Sequence, residues 1–170
     1  MLQPRFSLSR FLSAALLSMS LSLGLASSAS AAELVEITHS RGVAQVPVKP
    51  AKVVVLDWSV LDTMHKLGVE PTGIPSGTPP ELLKHLRDER FVKAGTLFEP
   101  DLEALKAQQP DLIILGRRAS AKFDEVAQFG TTIDLTPDPN DLLGSLVRNT
   151  RTIGAIFGKE AEAEALIAKL

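Results

Sequence analysis

The pattern of hydrophobic and polar positions changes period along the chain. Leu34 to His39 is a strand candidate. Val43-Ala44-Gln45-Val46-Pro47-Val48 alternates apolar and polar, as a strand with one covered face does. Arg41-Gly42 is a turn between them, so the pair predicts an N-terminal hairpin. Pro47 and Pro50 predict an edge position and then a break, because proline has no N–H to give to a ladder. From residue 53 the alternation gives way to continuous apolar runs. Val53-Val54-Val55-Leu56 and Asp111-Leu112-Ile113-Ile114-Leu115-Gly116 read as strands buried on both faces.

Helical patterns fill the spaces between these runs. One carries Leu61, Met64, His65 and Leu67 and closes at Gly68 as a C′ residue. Pro71 to Pro75 is a short strand with breakers, Ser76 to Pro80 a loop, and Glu81 to Arg87 a short helix. Phe91 to Gly95 leads into a helix over Asp101 to Lys106. Its first turn holds Asp101 and Glu103, where negative charge suits the helix dipole, and Pro110 ends it. Ala119 to Gln128 predicts a further helix and Thr131 to Leu135 a further strand. Asp141 to Phe157 is a longer helix, with Leu142, Leu146, Ile153 and Ile156 near one face and Gly158 as its stop. Lys159 to Leu170 is helical by composition and carries no stop signal.

Strands that alternate with helices predict an α/β fold, a mostly parallel sheet sandwiched by helices, with right-handed crossovers. Ligands of such sheets bind at the carboxyl ends of the strands. Three segments are thereby brought to one rim: Asp57-Trp58-Ser59, Gly95 to Glu99, and Gly116-Arg117-Arg118.

The first 31 residues have a different character. Arg5 and Arg10 precede an apolar, serine-diluted run from Phe11 to Ala26, and Ala29-Ser30-Ala31 fits the small-x-small pattern of a cleavage site. The expectation is a cleaved secretory signal over 1–31 rather than a membrane anchor, for which the run is short. Without it the 18 basic residues become 16 against 20 acidic, and a near-neutral chain gives no reason to expect nucleic acid as partner. The sequence has no cysteine, which excludes disulfides, thiolate metal sites and a thiol nucleophile, and argues against a lipoprotein anchor. An exported soluble protein of the bacterial periplasm fits these facts.

Arg117 and Arg118 just past a buried strand are candidates for an anion clamp, since guanidinium stays charged and donates in a bidentate fork. Two solvated loop residues are the plain alternative. Trp58, the only tryptophan, is either a wall for a flat ligand or packing between sheet and helix. Ser59 beside Asp57 reads as a helix N-cap. His39, His65 and His85 show no metal-site spacing. No Gly-x-Ser-x-Gly, Walker or Gly-x-Gly-x-x-Gly motif occurs, and Ser120-Ala121-Lys122 misses Ser-x-x-Lys by one residue, which argues against a standard hydrolase or nucleotide enzyme. A small secreted hydrolase using Ser59 or Asp57 stays as the reading from a different class.

Together, Thr38-His39-Ser40-Arg41-Gly42, Val43 to Pro47, Val53 to Asp62, Gly95 to Glu103, Pro110 to Ile114, Thr132 to Thr136 and Ile156 to Glu160 form an ordered set. It resembles the N-terminal half of the periplasmic ferric-siderophore-binding proteins of ABC importers, of the anguibactin, enterochelin and petrobactin type. The resemblance implies two α/β lobes joined by a long helix, with the ligand between them. Residues 32–158 would then be the N-terminal lobe, 159–170 the start of the linking helix, and the second lobe would be absent. The implied function is capture of an anionic, catecholate ferric siderophore and its delivery to an inner-membrane permease, by a monomer without enzymatic activity or cofactor. A haem, cobalamin or metal-chelate importer subunit is the neighbouring alternative. Arg118 matches the arginine of the family's Gly-Gly-Arg segment, and Arg117 replaces its second glycine. Trp58, Ser59 and Phe98 fall on cleft loops, and Glu103 matches the acidic residue that meets the permease.

Overall fold

The continuous apolar runs become the middle of a sheet. The computed structural model describes residues 33–170, so the signal segment expected over 1–31 lies outside the described residues. The hairpin forms as expected, from β1 (Leu34–His39) and β2 (Gly42–Pro47), with Leu34 opposite Pro47 and His39 opposite Gly42. The α/β portion follows with β3 (Val53–Leu56), α1 (Trp58–Lys66), β4 (Gly73–Ile74), a 3-10 helix over Glu81–Arg87 and β5 (Val92–Lys93). It continues with α2 (Leu102–Gln108), β6 (Leu112–Leu115), a 3-10 helix over Ser120–Lys122, α3 (Phe123–Val126) and β7 (Thr131–Asp134). Two helices close it, α4 (Leu142–Phe157) and α5 (Glu160–Ile167). Among the described residues no helix is long and apolar enough to cross a membrane.

All pairings in the five-stranded sheet are parallel, in the order β5-β4-β3-β6-β7. The chain runs from β3 outward to β5, then returns to the other side of β3 for β6 and β7. The order therefore reverses between β3 and β6, which pair from Val53–Leu112 to Leu56–Leu115. A reversal sends the two following connections to opposite faces and opens a crevice at the strands' carboxyl ends.

Side chains alternate between the faces of the sheet. Val53, Val55, Leu112, Ile114 and Ile133 pack with α1, α4, α5 and the hairpin, through Leu61, Met64, Ile153, Ile156, Ala163, Ile37 and Val46. Val54, Leu56, Ile113 and Leu115 face the other way, onto Leu105 of α2 and Val126 of α3. Both faces are covered, which is why these strands lack polar alternation.

One expectation of the fold is corrected. The helix over Ala119 to Gln128 is broken into a 3-10 turn and the four residues of α3. The short helix over Glu81–Arg87 forms with the expected bounds, as a 3-10 helix with Leu83 off helical geometry (φ −111°, ψ 22°) and with Leu83 and Leu86 buried. On α4, Ile153 and Ile156 are buried, but Leu142 and Leu146 are 56% and 41% exposed.

Candidate functional site

The crevice between β3 and β6 is built around one carboxylate. Asp57 follows β3 in extended conformation (φ −152°, ψ 129°) and is the N-cap of α1. Its Oδ1 accepts from the Ser59 N–H at 2.8 Å, the Val60 N–H at 3.3 Å and the Ser59 hydroxyl. Ser59 is therefore not the N-cap. It lies inside the first turn with its hydroxyl turned back to Asp57, and none of its hydrogen bonds involves a histidine. An aspartate one residue from the strand end reaches the free N–H groups that a serine at position 59 is too far along the helix to cap.

Across the crevice, Gly116 at the end of β6 lies against the Asp57 carboxylate. A Cβ there would collide with Asp57. That close approach presents the next two residues, Arg117 and Arg118, to the same opening. The cavity has a volume of about 450 Å³ and is lined by Asp57, Trp58, Ser59, Arg117, Arg118 and Pro137. Trp58 is half-buried. It packs against the core and also lines the cavity, so both readings of it hold.

The charge state of the rim sets it apart. The described residues contain seven arginines. Arg41, Arg87, Arg90, Arg148 and Arg151 each pair with a carboxylate. Arg117 and Arg118 have no ion-pair partner among the described residues, and both are exposed. Arg118 instead sits over the Phe98 ring, 5.9 Å from its centre, a cation–π distance. Phe98 is 60% exposed and stands beside the cavity rather than in its lining. Its loop is held by its own hydrogen bonds: the Phe98 and Glu99 N–H groups donate to Thr96 Oγ1 at 3.2 and 2.9 Å. Gly95 at φ +95° leaves no room for a Cβ against Glu99 to Asp101. A third cation nearby is already spent. Lys122 binds Glu99 at 2.8 Å and Glu125 at 3.4 Å, and these hydrogen bonds, Glu99's first, raise its pKa.

A second polar cavity, about 410 Å³, lies between the hairpin turn and the β7–α4 loop. Its polar groups are committed internally. Ser40 Oγ donates to the Asp134 carbonyl at 2.9 Å, Asn149 to the Leu135 carbonyl at 2.7 Å, and Arg148 to Asp141 and Ser145, both at 2.8 Å. Asp134 itself is fully buried at the end of β7. Burial acts to raise its pKa, but hydrogen bonds from the Ser120 hydroxyl and from the Thr136 hydroxyl and N–H outweigh burial and hold it below the usual carboxylate value. His39 closes this network, its Nδ1 accepting from the Arg41 N–H at 3.2 Å. Burial lowers its pKa, as does Arg41, against Asp134.

The remaining candidates lie elsewhere. Glu103 is exposed in the first turn of α2, outside the cavity. His85 is half-buried rather than exposed, stacked on His65 at 4.3 Å between ring centres. Among the described residues no group of three His, Cys, Asp or Glu is placed to hold a metal ion. Pro137 of the cavity wall carries no sequence signal for the site, since only the sheet order brings the β7–α4 loop beside Asp57. The role of Asp57 was legible only as a neighbour of Ser59.

The family model described as "Periplasmic binding protein" matches residues 53–170. The petrobactin-binding protein YclQ of Bacillus subtilis is 35% identical over 128 residues, which is 74% of this chain and 40% of that protein. The Fe(3+) dicitrate-binding periplasmic protein FecB of Escherichia coli is 31% identical over 121 residues, 68% of this chain and 40% of that one. Among solved structures, the periplasmic catecholate-siderophore-binding protein VctP of Vibrio cholerae superposes with a TM-score of 0.77 at 33% identity, covering 81% of this chain and 50% of that chain. The chain thus spans about half the length of the solved relatives, and less of the curated ones. A matched segment that takes in the whole parallel sheet and both walls of the crevice places this chain in the periplasmic binding protein family.

Proposed function

We propose that this chain is the N-terminal lobe of a substrate-binding component for iron(III)-siderophore import. In this reading it captures an anionic, catecholate ferric complex in the periplasm and hands it to an inner-membrane ABC permease. The observation that carries the reading is the pair of arginines at the switch-point cavity, neither with an ion-pair partner among the described residues. Arg118 and Arg117 meet the anionic complex with charge-assisted hydrogen bonds, Trp58 and Phe98 pack against its flat faces, and Ser59 lines the floor. Nothing covalent is required, so the role is binding and not turnover. Residues 32–158 form the lobe and 159–170 begin the helix to a second lobe, whose closure completes the cleft. Glu103 offers its carboxylate to a basic residue of the permease. A cleavable signal over 1–31 delivers the monomeric chain to the periplasm.

Titration of the purified chain with a ferric tricatecholate, read by Trp58 fluorescence, tests the reading. Saturable quenching that weakens as salt rises is expected, since the attraction is between charges that solvent can reach. A folded chain whose Trp58 responds equally to the ferric complex and to haem or cobalamin would overturn it.

A further inference from the structure

The cleft cavity holds one polar atom that the ligand reading leaves idle. Asp57 is only 8% exposed, and the fold treats its two carboxylate oxygens differently. Oδ1 is saturated by the first turn of α1, through the Ser59 and Val60 N–H groups and the Ser59 hydroxyl. Oδ2 accepts no hydrogen bond among the described residues. No cation pairs with it there either, although Arg117 and Arg118 line the same cavity. Oδ2 is the atom nearest to where a Cβ of Gly116 would stand, so the residue that faces it brings no side chain to bond or cover it. Nor is Oδ2 sealed in the interior. Among the described residues, the fully enclosed side-chain polar atoms without a partner belong to Gln108. Oδ2 therefore keeps its access through the cavity that Asp57 lines.

A carboxylate oxygen taken largely out of water without a donor is costly. Elsewhere the fold avoids that cost. Buried Asp134 has both oxygens bonded, by the Ser120 hydroxyl and by Thr136. Asp141, the N-cap of α4, accepts from the Gly144 N–H on one oxygen and from Arg148 on the other. We infer that Asp57 Oδ2 is a specificity-determining acceptor of the cleft and takes a hydrogen bond from the bound ligand. The inference rests on the ferric-complex reading and narrows the class of complex. An ammonium group would meet the two guanidiniums that line the same cavity, whereas a neutral O–H or N–H reaches Oδ2 without that repulsion. The favoured ligand is thus an anionic complex with a neutral O–H or N–H donor beside its anionic oxygens. A complex surfaced only by acceptors or by hydrocarbon leaves Oδ2 unpaired. It is selected against, since rejection follows from a polar group left without its partner.

Two ferric complexes of equal size and charge test this, those of hydroxyethylcatechol and propylcatechol, each catechol in excess over iron. They differ by a terminal O–H in place of a terminal methyl. Both are titrated into the purified chain and into its Asp57→Asn and Asp57→Ser variants, read by Trp58 fluorescence. Asparagine and serine both keep an oxygen to cap α1, and both remove the Oδ2 acceptor. Each also removes a negative charge, which strengthens the two complexes alike, so the readout is the ratio of their affinities. The parent's ratio in favour of the hydroxyethyl complex is expected to fall about tenfold in both variants, the scale of one hydrogen bond to a charged group. An unchanged ratio in either folded variant overturns the inference and leaves the ferric-complex reading standing. Failure of the folded parent to bind either complex overturns both.

Discussion

Arginine occurs in two very different settings here. On α4, Arg148 and Arg151 are tied to Asp141 at 2.8 Å and to Glu164 at 2.6 Å. At the end of β6, Arg117 and Arg118 face an open cavity whose one acidic lining residue, Asp57, has turned an oxygen to the first turn of α1. The first pair serves the fold and is screened by water. The second pair leaves charge uncompensated beside a low-dielectric wall of sheet and Trp58, which raises the local concentration of anions. The site is thus defined less by residue type than by which charges the described fold leaves unanswered.

The largest expected effect breaks the second setting. Replacing Arg117 and Arg118 together with alanine should cost about 2–5 kcal/mol of ferric-complex affinity in a two-lobed form, the scale of removing charged partners from a bound ion. Calorimetry checks it, and the Arg148→Ala/Arg151→Ala variant should bind as the parent does. Next, Gly116→Ala forces a Cβ into the Asp57 carboxylate. A cost of about 1–3 kcal/mol in urea unfolding is expected, the scale of overpacking, together with a changed Trp58 emission. Asp57→Ala should lose about 1 kcal/mol as a lost N-cap, whereas Ser59→Ala should lose less, since Ser59 caps nothing.

A further effect concerns acid. The folded Asp134 carboxyl lies below its usual pKa, so its bonds contribute stability above the unfolded value of about 3.9 and lose it as pH falls through the folded one. Ser120→Ala with Thr136→Val should therefore destabilise the chain by about 1–3 kcal/mol at pH 6. Unfolding curves of variant and parent should draw together below about pH 4. A gap that stays constant with pH would mean that the hydroxyls matter to packing and not to the charge. The smallest effect is that of Arg151→Ala, whose exposed pair should leave the unfolding midpoint within error of the parent.

Much of this molecule was legible in the sequence because its signals are local. Val53 to Leu56 and Leu112 to Leu115 announce buried strands by composition, and Gly68 and Gly158 stop their helices at φ +70° and +65°. Arg117 and Arg118 could be placed at the rim from a general rule about parallel sheets. What failed locally did so for reasons of packing. The Ala119 to Gln128 stretch has helical composition, but it divides into the 3-10 turn over Ser120–Lys122 and the four residues of α3, with Ala119 and Val126 buried in the same core. Leu142 and Leu146 share a helical period with Ile153 and Ile156, yet no described element covers them.

Local patterns along the chain set the period of each element, the strand ends at which ligands gather, and the charged and aromatic residues that follow those ends. Folding brought in the rest: which of those charges have no ion-pair partner among the described residues, that Asp57 rather than Ser59 caps α1, and that Pro137 joins the cavity wall. The physical reason is that hydrophobic period and turn chemistry act over a few residues. Ion pairing and close approach, such as Gly116 upon Asp57, depend on strand order across nearly sixty residues of chain.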